Sequence, residues 1–252
     1  MNIIMKLTLQ HLKSNLKRTI VTIFGILTST ALITAMLTGV YSAFIFVGEV
    51  AIYVDGNHHA IFKDISEEDY NNLKNDPAIK FAGVYDTDNE KTGFYIDSDA
   101  EKRFRIGNIY HGNTDLLSQM VTCEYEGKLP ENKGEIAVEE EFLKDNNLNL
   151  SVGDKLSFHQ GYRYIYENDK LVYLAGNYRS SEDFTVLSDE TCTITAILHG
   201  NEPTDSFDII RGIDEFPDTN KVYITLKRID RNAIKTLRSI EAAYGLHLYE
   251  IN

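Results

Sequence analysis

Residues 19–48, TIVTIFGILTSTALITAMLTGVYSAFIFVG, decide how this chain is organised. The stretch contains no Asp, Glu, Lys, Arg or His. As a helix it would reach about 45 Å, whereas the hydrocarbon core of a bilayer needs only about 20 such residues. We therefore predict a transmembrane helix at 19–48. A cleaved signal peptide is disfavoured because the apolar run is about twice the usual length of a signal sequence core.

Charge is distributed unevenly on the two sides of this stretch. The whole chain carries −13, while residues 1–48 carry +4 and no acidic residue, which leaves −17 on residues 49–252. Basic residues before a span favour a cytoplasmic N-terminus. We therefore expect a cell-membrane protein whose residues after about 49 are extracellular or periplasmic. The acidic remainder argues against a nucleic-acid partner, because it would repel the phosphates.

Small residues recur at helical spacing within the predicted span. Gly25 and Ser29 are four residues apart, and so are Ala31, Ala35 and Gly39. Small side chains at this spacing let a second helix approach closely, and the threonines at 30, 34 and 38 can hydrogen-bond within or between helices. The stripe predicts packing against other membrane helices. The simpler explanation is that Gly, Ala and Thr are common in membrane helices.

Residues 1–18 combine leucines with lysines at helical spacing. Leu9, Leu12 and Leu16 recur on one side, interleaved with the lysines at 6, 13 and 17. This pattern is typical of an amphipathic segment that lies at the cytoplasmic membrane interface. An early start of the transmembrane helix explains the same pattern equally well.

The two ends of the remaining chain each predict a β-α-β unit. Near residue 60, a strand His59–Phe62 precedes the capping-box sequence Ser66-Glu-Glu-Asp69, a helix that stops before Pro77, and a strand Ile79–Tyr85. Near the C-terminus, a strand Lys221–Leu226 precedes a helix over 229–244, a stop at Gly245 and a last strand over 246–251. Two such units indicate a small split α/β sandwich.

The segment between these units is predicted to be mostly β. Residues 93–96 and 104–109 form an expected hairpin, and residues 191–198 form a further strand. Tyr162, Tyr164 and Tyr166 alternate with other residues, which is typical of a half-exposed strand, and residues 167–170 turn it back. The tyrosines are the best candidates for a partner contact, since each offers an apolar ring with a polar tip. The alternative is that they pack on their own sheet.

These patterns define the predicted class, α+β, with one N-terminal transmembrane helix and one exterior domain. Two β-α-β units, residues 55–110 and 215–252, flank a β-rich insertion at 111–214. Cys123 and Cys192 both fall on the predicted exterior, where a disulfide between them is possible and two free thiols are equally plausible.

Residues 126–158, EGKLPENKGEIAVEEEFLKDNNLNLSVGDKLSF, carry a family resemblance. They predict a loop with Pro130, a strand 135–138, a short helix 140–146 and a turn at Val152-Gly153-Asp154 before another strand. This order resembles the extracytoplasmic domain of FtsX-like permeases, which belong to the MacB-type class of ABC transporters. Residues 11–38 resemble the first membrane helix of that family, and residues 221–251 resemble the strand-helix-strand that precedes its second span.

The resemblance implies a permease subunit, or its N-terminal part, that works with a cytoplasmic ATPase and a second permease copy in membrane lipid. Family members carry at least three further membrane helices, so we expect this chain to be a fragment or a shortened product. The exterior domain would handle peptides, lipids or lipoproteins. The alternative is a single-pass membrane-anchored protein that binds or senses an extracellular ligand.

The sequence offers no catalytic chemistry of its own. It has no Gly-x-x-x-x-Gly-Lys-Ser/Thr phosphate loop, so ATP hydrolysis would belong to a partner subunit, and we predict neither an enzyme nor a cofactor site. His58 and His59 are adjacent, and adjacent strand residues point to opposite faces. They are therefore poor joint metal ligands.

Overall fold

The computed structural model describes residues 3–55, 58–200, 207–229 and 231–251, in two compact units that divide after residue 55. Its elements in chain order are α1 (Ile3–Ser14), α2 (Leu16–Asp55), β1 (Ala60–Lys63), α3 (Glu67–Asn75), β2 (Ile79–Asp86), β3 (Thr92–Tyr95), α4 (Lys102–Arg105), β4 (Ile106–His111), α5 (Thr114–Met120), β5 (Glu124–Gly127), β6 (Glu135–Glu139), α6 (Glu140–Asp145), β7 (Lys155–Glu167), β8 (Lys170–Tyr173), β9 (Asp183–His199), β10 (Phe207–Arg211), β11 (Asn220–Leu226), α7 (Ala233–Tyr244) and β12 (Leu248–Ile251).

The first unit consists of two helices separated by a turn at Asn15. Within the described part of the chain, one helical segment, Leu16–Gly48, is long and apolar enough to cross a membrane. Its side chains are almost all exposed, with Phe24 and Phe44 among the most exposed, so this is not the core helix of a soluble domain. The helix predicted at 19–48 is present, but α2 begins at Leu16 and continues to Asp55.

The basic N-terminal segment is divided between the two helices: residues 3–14 form α1, whereas Leu16, Lys17 and Arg18 are the first residues of α2. The side chains of Lys6, Leu9 and Leu12 lie outside the described residues. The amphipathic character of the segment therefore stays a prediction.

The two terminal β-α-β units interleave in one antiparallel sheet of order β12-β1-β11-β2. Each unit's two strands are parallel and separated by one strand of the other unit, which is the split β-α-β arrangement. Helices α3 and α7 bury Leu73, Leu237 and Ile240 in a core with Phe62 and Ile224. The predicted split α/β sandwich is confirmed.

Local capping fixes the ends of these helices as the sequence predicts. The Ser66 hydroxyl accepts a hydrogen bond from the Asp69 backbone N–H at the start of α3. Helix α3 ends at Asn75, just before Asp76-Pro77. Helix α7 ends at Gly245, whose φ of +66° lies in the left-handed region that glycine adopts without strain.

The segment inserted between β2 and β11 forms a closed ring of six strands. Pairing runs from β9 to β6, β10, β4, β3 and β7, and β7 then pairs back with β9, while β5 and β8 are appended to β9 and β7. The interior contains Phe94, Phe158, Phe207 and Ile194, and α6 contributes Phe142 to it. Closure leaves no free edge on the six ring strands, which protects them from edge-to-edge association.

Two predicted boundaries are corrected by this topology. The hairpin of β3 and β4 belongs to the ring and not to the four-stranded sheet, so the insertion spans the connection from Asp86 to Asn220 and not residues 111–214. Residues 104 and 105, expected at the start of a strand, belong instead to the short helix α4 (Lys102–Arg105). Cys123 and Cys192 are free thiols, and Cys192 is buried in the ring.

Candidate functional sites: a small-residue helix groove and a tyrosine hairpin

One face of α2 forms a shallow groove lined by small and hydroxylated residues. Three of the five predicted packing residues, Ala31, Ala35 and Gly39, lie together in it. The complete lining is Leu27, Thr30, Ala31, Thr34, Ala35, Thr38, Gly39 and Ser42. Apart from Leu27 these side chains are small or hydroxylated, and such a surface permits close approach of a second helix.

The other two predicted packing residues are not part of this groove. Gly25 and Ser29 are absent from its lining. Ser29 is two residues before Ala31, so it lies about 160° around the helix from it. The structure therefore separates the predicted stripe into a continuous groove over residues 27–42 and two small residues elsewhere.

The threonine hydroxyls of α2 are satisfied within the helix. Thr30 donates to Ile26 O at 2.7 Å, Thr34 to Thr30 O at 2.9 Å, and Thr38 to Thr34 O at 2.8 Å. Such bonds to the preceding turn leave no hydroxyl proton without an acceptor in an apolar environment. The sequence left open whether these hydroxyls bond within the helix or between helices. In the structure they donate within the helix.

The second candidate site is the hairpin of β7 and β8, which carries the tyrosines. Asn168 and Asp169 connect the strands with φ values of +50° and +59°, which is the two-residue turn that suits the twist of a hairpin. Tyr164 pairs with Tyr173, and Tyr166 pairs with Leu171. Cross-strand partners share a face, so these four side chains lie on one side of the hairpin.

The predicted tyrosine contact residues differ in exposure. Tyr162 and Tyr164 are half-buried, and their rings contact Tyr173 and Tyr166 at centroid distances of 5.1 and 5.8 Å. Tyr166 is 69% exposed. Leu171, Val172 and Tyr173 on β8 are also exposed. The hairpin end of β7 is thus an apolar, hydroxyl-bearing surface, which we call the tyrosine hairpin surface.

Beneath the tyrosines, Arg163 points to the opposite face and is fully buried. Its Nε and Nη2 donate to the two carboxylate oxygens of Glu182 at 2.9 and 2.8 Å. Nη1 donates to Asn108 Oδ1 at 2.6 Å and to Gly176 O at 2.7 Å. The guanidinium therefore fixes the segment after β8 against the strands that carry the tyrosines. From the sequence, Arg163 is identified only as a residue that alternates with the tyrosines, and its buried position is not predicted.

A group of half-buried titratable residues lies on the same side of the ring as Arg163. Asn108 donates to Asp208 Oδ1 at 2.8 Å, and burial raises the pKa of Asp208. Burial, followed by the nearby Asp208 carboxylate, raises the pKa of Glu139 to about 7. Burial also raises the pKa of Tyr110 to about 12. These side chains have no recognisable catalytic arrangement, and the sequence analysis did not identify them.

The family segment 126–158 has a structural role in the ring. It supplies β6, α6 and the first part of β7. Gly153, with φ of +98°, forms the turn before β7, and Asp154 Oδ2 accepts from the Ser151 backbone N–H at 2.8 Å. The segment therefore contributes mainly to the architecture of the ring.

Histidines and acidic residues do not form a metal centre in the described ranges. No group of three or more His, Cys, Asp or Glu is placed there to hold a metal ion. His59 Nδ1 accepts from the Leu226 backbone N–H at 2.9 Å, while the His58 ring contacts Tyr223. The two adjacent histidines thus have separate partners.

Comparisons with known proteins find solved structures that are similar to this chain. No protein-family model matches the chain, and no curated protein matches its sequence. It is similar to the extracellular domain of the noncanonic ABC-type transporter YknZ from Gram-positive bacteria, at 10% identity and a TM-score of 0.45, over 77% of this chain and 100% of that one. It is also similar to the periplasmic region of MacB from Actinobacillus actinomycetemcomitans, at 10% identity and a TM-score of 0.44, over 77% of this chain and 88% of that one.

Proposed function

We propose that this chain is a permease subunit, or the N-terminal part of one, in an FtsX-like ABC transporter of the MacB type. The observation that carries the proposal is α2: an exposed apolar helix that can span a membrane, preceded by basic residues and followed by an acidic α+β domain. The resemblance of residues 11–38 and 126–158 to that class gives the proposal its family.

The orientation follows from the charges. Lys13, Lys17 and Arg18 lie just before the uncharged stretch 19–48, and basic residues at that position favour a cytoplasmic N-terminus. The folded domain would then lie outside the cell or in a periplasm. Labelling intact cells with a membrane-impermeant maleimide tests this in chains whose own free thiols are removed by C123S and C192S: Y166C should react, because Tyr166 is exposed, and K13C should react only after permeabilisation. Reaction of K13C alone in intact cells would refute the orientation.

The proposal assigns ATP hydrolysis to a cytoplasmic partner. A cytoplasmic ATPase would drive paired permease copies, and movement of the membrane helices would be transmitted to the exterior domain, which would handle peptides, lipids or lipoproteins. Affinity purification of the full chain from crosslinked membranes of its own cells should recover an ATPase subunit and a second permease. Recovery of neither would exclude the proposal.

The second candidate is a single-pass anchored protein that binds or senses an extracellular ligand. One observation favours it: among the described residues, only one helix is long and apolar enough to span a membrane. The two candidates differ in what the small-residue groove of α2 does. A transporter helix packs against neighbouring membrane helices, whereas a lone anchor faces lipid. If A31L reduces crosslinking between α2 and other membrane helices, the permease is favoured.

A further inference from the structure

His159 lies between two carboxylates on the outer surface of the ring. Its Nδ1 is 2.6 Å from Asp189 Oδ1 on β9, and its Nε2 is 3.0 Å from Asp97 Oδ2 on the segment after β3. A carboxylate only accepts hydrogen bonds, so both ring nitrogens can be bonded in this way only when the imidazole carries two protons. The geometry therefore corresponds to the imidazolium form.

The arrangement connects three strands of the ring. His159 pairs directly with Tyr95 on β3 and with Asp189 on β9, so the three side chains form one cross-strand row. The Tyr95 ring stacks on the imidazole, with centroids 6.1 Å apart and planes 21° apart, and the Arg105 guanidinium lies 5.3 Å from the Tyr95 centroid. Strands β7 and β9 are also held by backbone pairing, whereas Asp97 lies beyond the end of β3.

We propose that protonated His159 binds the Asp97 segment, residues 96–101, to the ring in mild acid. When the imidazole becomes neutral, this segment is released. A neutral imidazole has one N–H, so it keeps one of the two carboxylates. The Asp189 contact is the shorter one and is backed by strand pairing, so the Asp97 contact is the one that is lost.

The charged surroundings give the sign of the effect. The facing titratable groups are Asp97 from the β3 side and Asp189 from β9, and hydrogen bonds to these two carboxylates raise the pKa of His159 above 6.5. A histidine with a raised pKa contributes stability that is complete below 6.5 and is lost as the pH rises through its folded-state pKa. His159 is partly exposed and both acids are mostly exposed, so solvent screens the contribution.

The test measures hydrogen exchange of residues 96–101 in the full chain in lipid nanodiscs, between pH 5 and 9, after correction for the intrinsic pH dependence of exchange. Protection should fall roughly two- to fivefold as the pH rises, which is the range that an exposed ion pair supports. The midpoint should coincide with the His159 titration followed by NMR. H159Q and D97N should each remove the pH dependence.

Two further variants keep the result interpretable. D189N should remove the response while residues 96–101 stay protected, because the single N–H of a neutral imidazole can then remain on Asp97. H199Q serves as the matched control and should leave residues 96–101 unchanged, since His199 contacts a single carboxylate, Glu140, elsewhere. An unchanged pH response in H159Q, or an imidazole that is neutral at pH 5, would overturn the proposal.

Discussion

Arg163 and Glu182 form an ion pair from which water is completely excluded, with both side chains 0% exposed. The pair is bidentate, and the remaining donors of Arg163 reach Asn108 and the carbonyls of Gly176 and Asn177. All five guanidinium N–H groups are therefore used. One cation thus connects the ring to the loop that crosses behind the tyrosine hairpin surface.

We expect R163M to destabilise the domain by about 3–5 kcal/mol, because it leaves the buried Glu182 carboxylate without a countercharge, with only the Arg179 backbone N–H still donating to its Oε2. The matched control is R179A, which removes an arginine from the loop between β8 and β9 that Arg163 contacts. Arg179 pairs with Glu167 at 3.0 Å, but both side chains are about half exposed, so its loss should cost less than about 1 kcal/mol. Urea unfolding followed by tyrosine fluorescence measures both. Equal effects would contradict the buried-pair explanation.

Gly107 is required where β4 meets β10. A Cβ built at Gly107 would lie 1.8 Å from the Phe207 carbonyl oxygen and 2.7 Å from the Phe94 ring, so the two strands would have to separate. We expect G107A to cost at least about 3 kcal/mol, the upper end for overpacking, and to open the ring. In G134A the nearest atom is 3.5 Å away, so that control should change stability by less than about 0.5 kcal/mol. Thermal unfolding compares the two variants, and a stable G107A would show that the ring can relax.

The tyrosine hairpin surface should affect binding and not stability. Replacing Tyr166 by a photocrosslinking phenylalanine analogue should capture a partner in membranes, because this side chain is exposed and shares its face with Tyr164. The same analogue at Tyr249, exposed on the four-stranded sheet, is the control and should capture nothing. Y166A should change the free energy of unfolding by less than about 0.5 kcal/mol. Equal capture at both positions would remove the special role of the hairpin.

The position of the groove on α2 predicts which face of this helix contacts a second membrane helix. A31L fills the groove with a bulky side chain, whereas S29L adds the same side chain about 160° around the helix. If the groove receives another helix, A31L should reduce helix–helix crosslinking in membranes by roughly tenfold, equivalent to about 1.4 kcal/mol, and S29L should leave it unchanged. The opposite ranking would place the contact on the face of Ser29.

How far the sequence predicts this structure depends on how local the signal is. The Ser66 cap, the Gly245 stop and the interleaved β-α-β units have signals within a few residues, and each is confirmed. Helix α5 was missed, although Asn113 caps it and Leu116 and Leu117 are its buried residues. Strands β5 and β10 were missed because each is four or five residues long and depends on distant partners for its pairing.

The ring and its buried arginine could not be deduced from local patterns. Its closure needs the β7–β9 register, in which Leu156 meets Cys192, and no turn sequence specifies that pairing. In β7 the usual polarity is also inverted, since Arg163 is buried while Tyr162 and Tyr164 are half-exposed. Only the distant partners Glu182 and Asn108 make a buried arginine favourable there, and alternation alone does not reveal them.

Glu139 makes stability depend on pH in a direction opposite to the usual one for carboxylates. Its pKa rises from 4.5 to about 7, first because it is buried and then because Asp208 is close. The folded state therefore holds a proton that the unfolded state has released, so stability should fall as the pH rises from 4.5 to about 7. E139Q keeps the shape without the charge and should remove this part of the pH dependence.

His111 acts at lower pH in the opposite sense, because burial lowers its pKa to about 3, so stability falls as the pH drops from 6.5 toward 3. Urea unfolding of both proteins at pH steps from 4 to 8 isolates the Glu139 contribution as a difference. If wild type and E139Q lose stability in parallel over this range, Glu139 is ionised in the folded domain at neutral pH and the inferred burial of its proton is wrong.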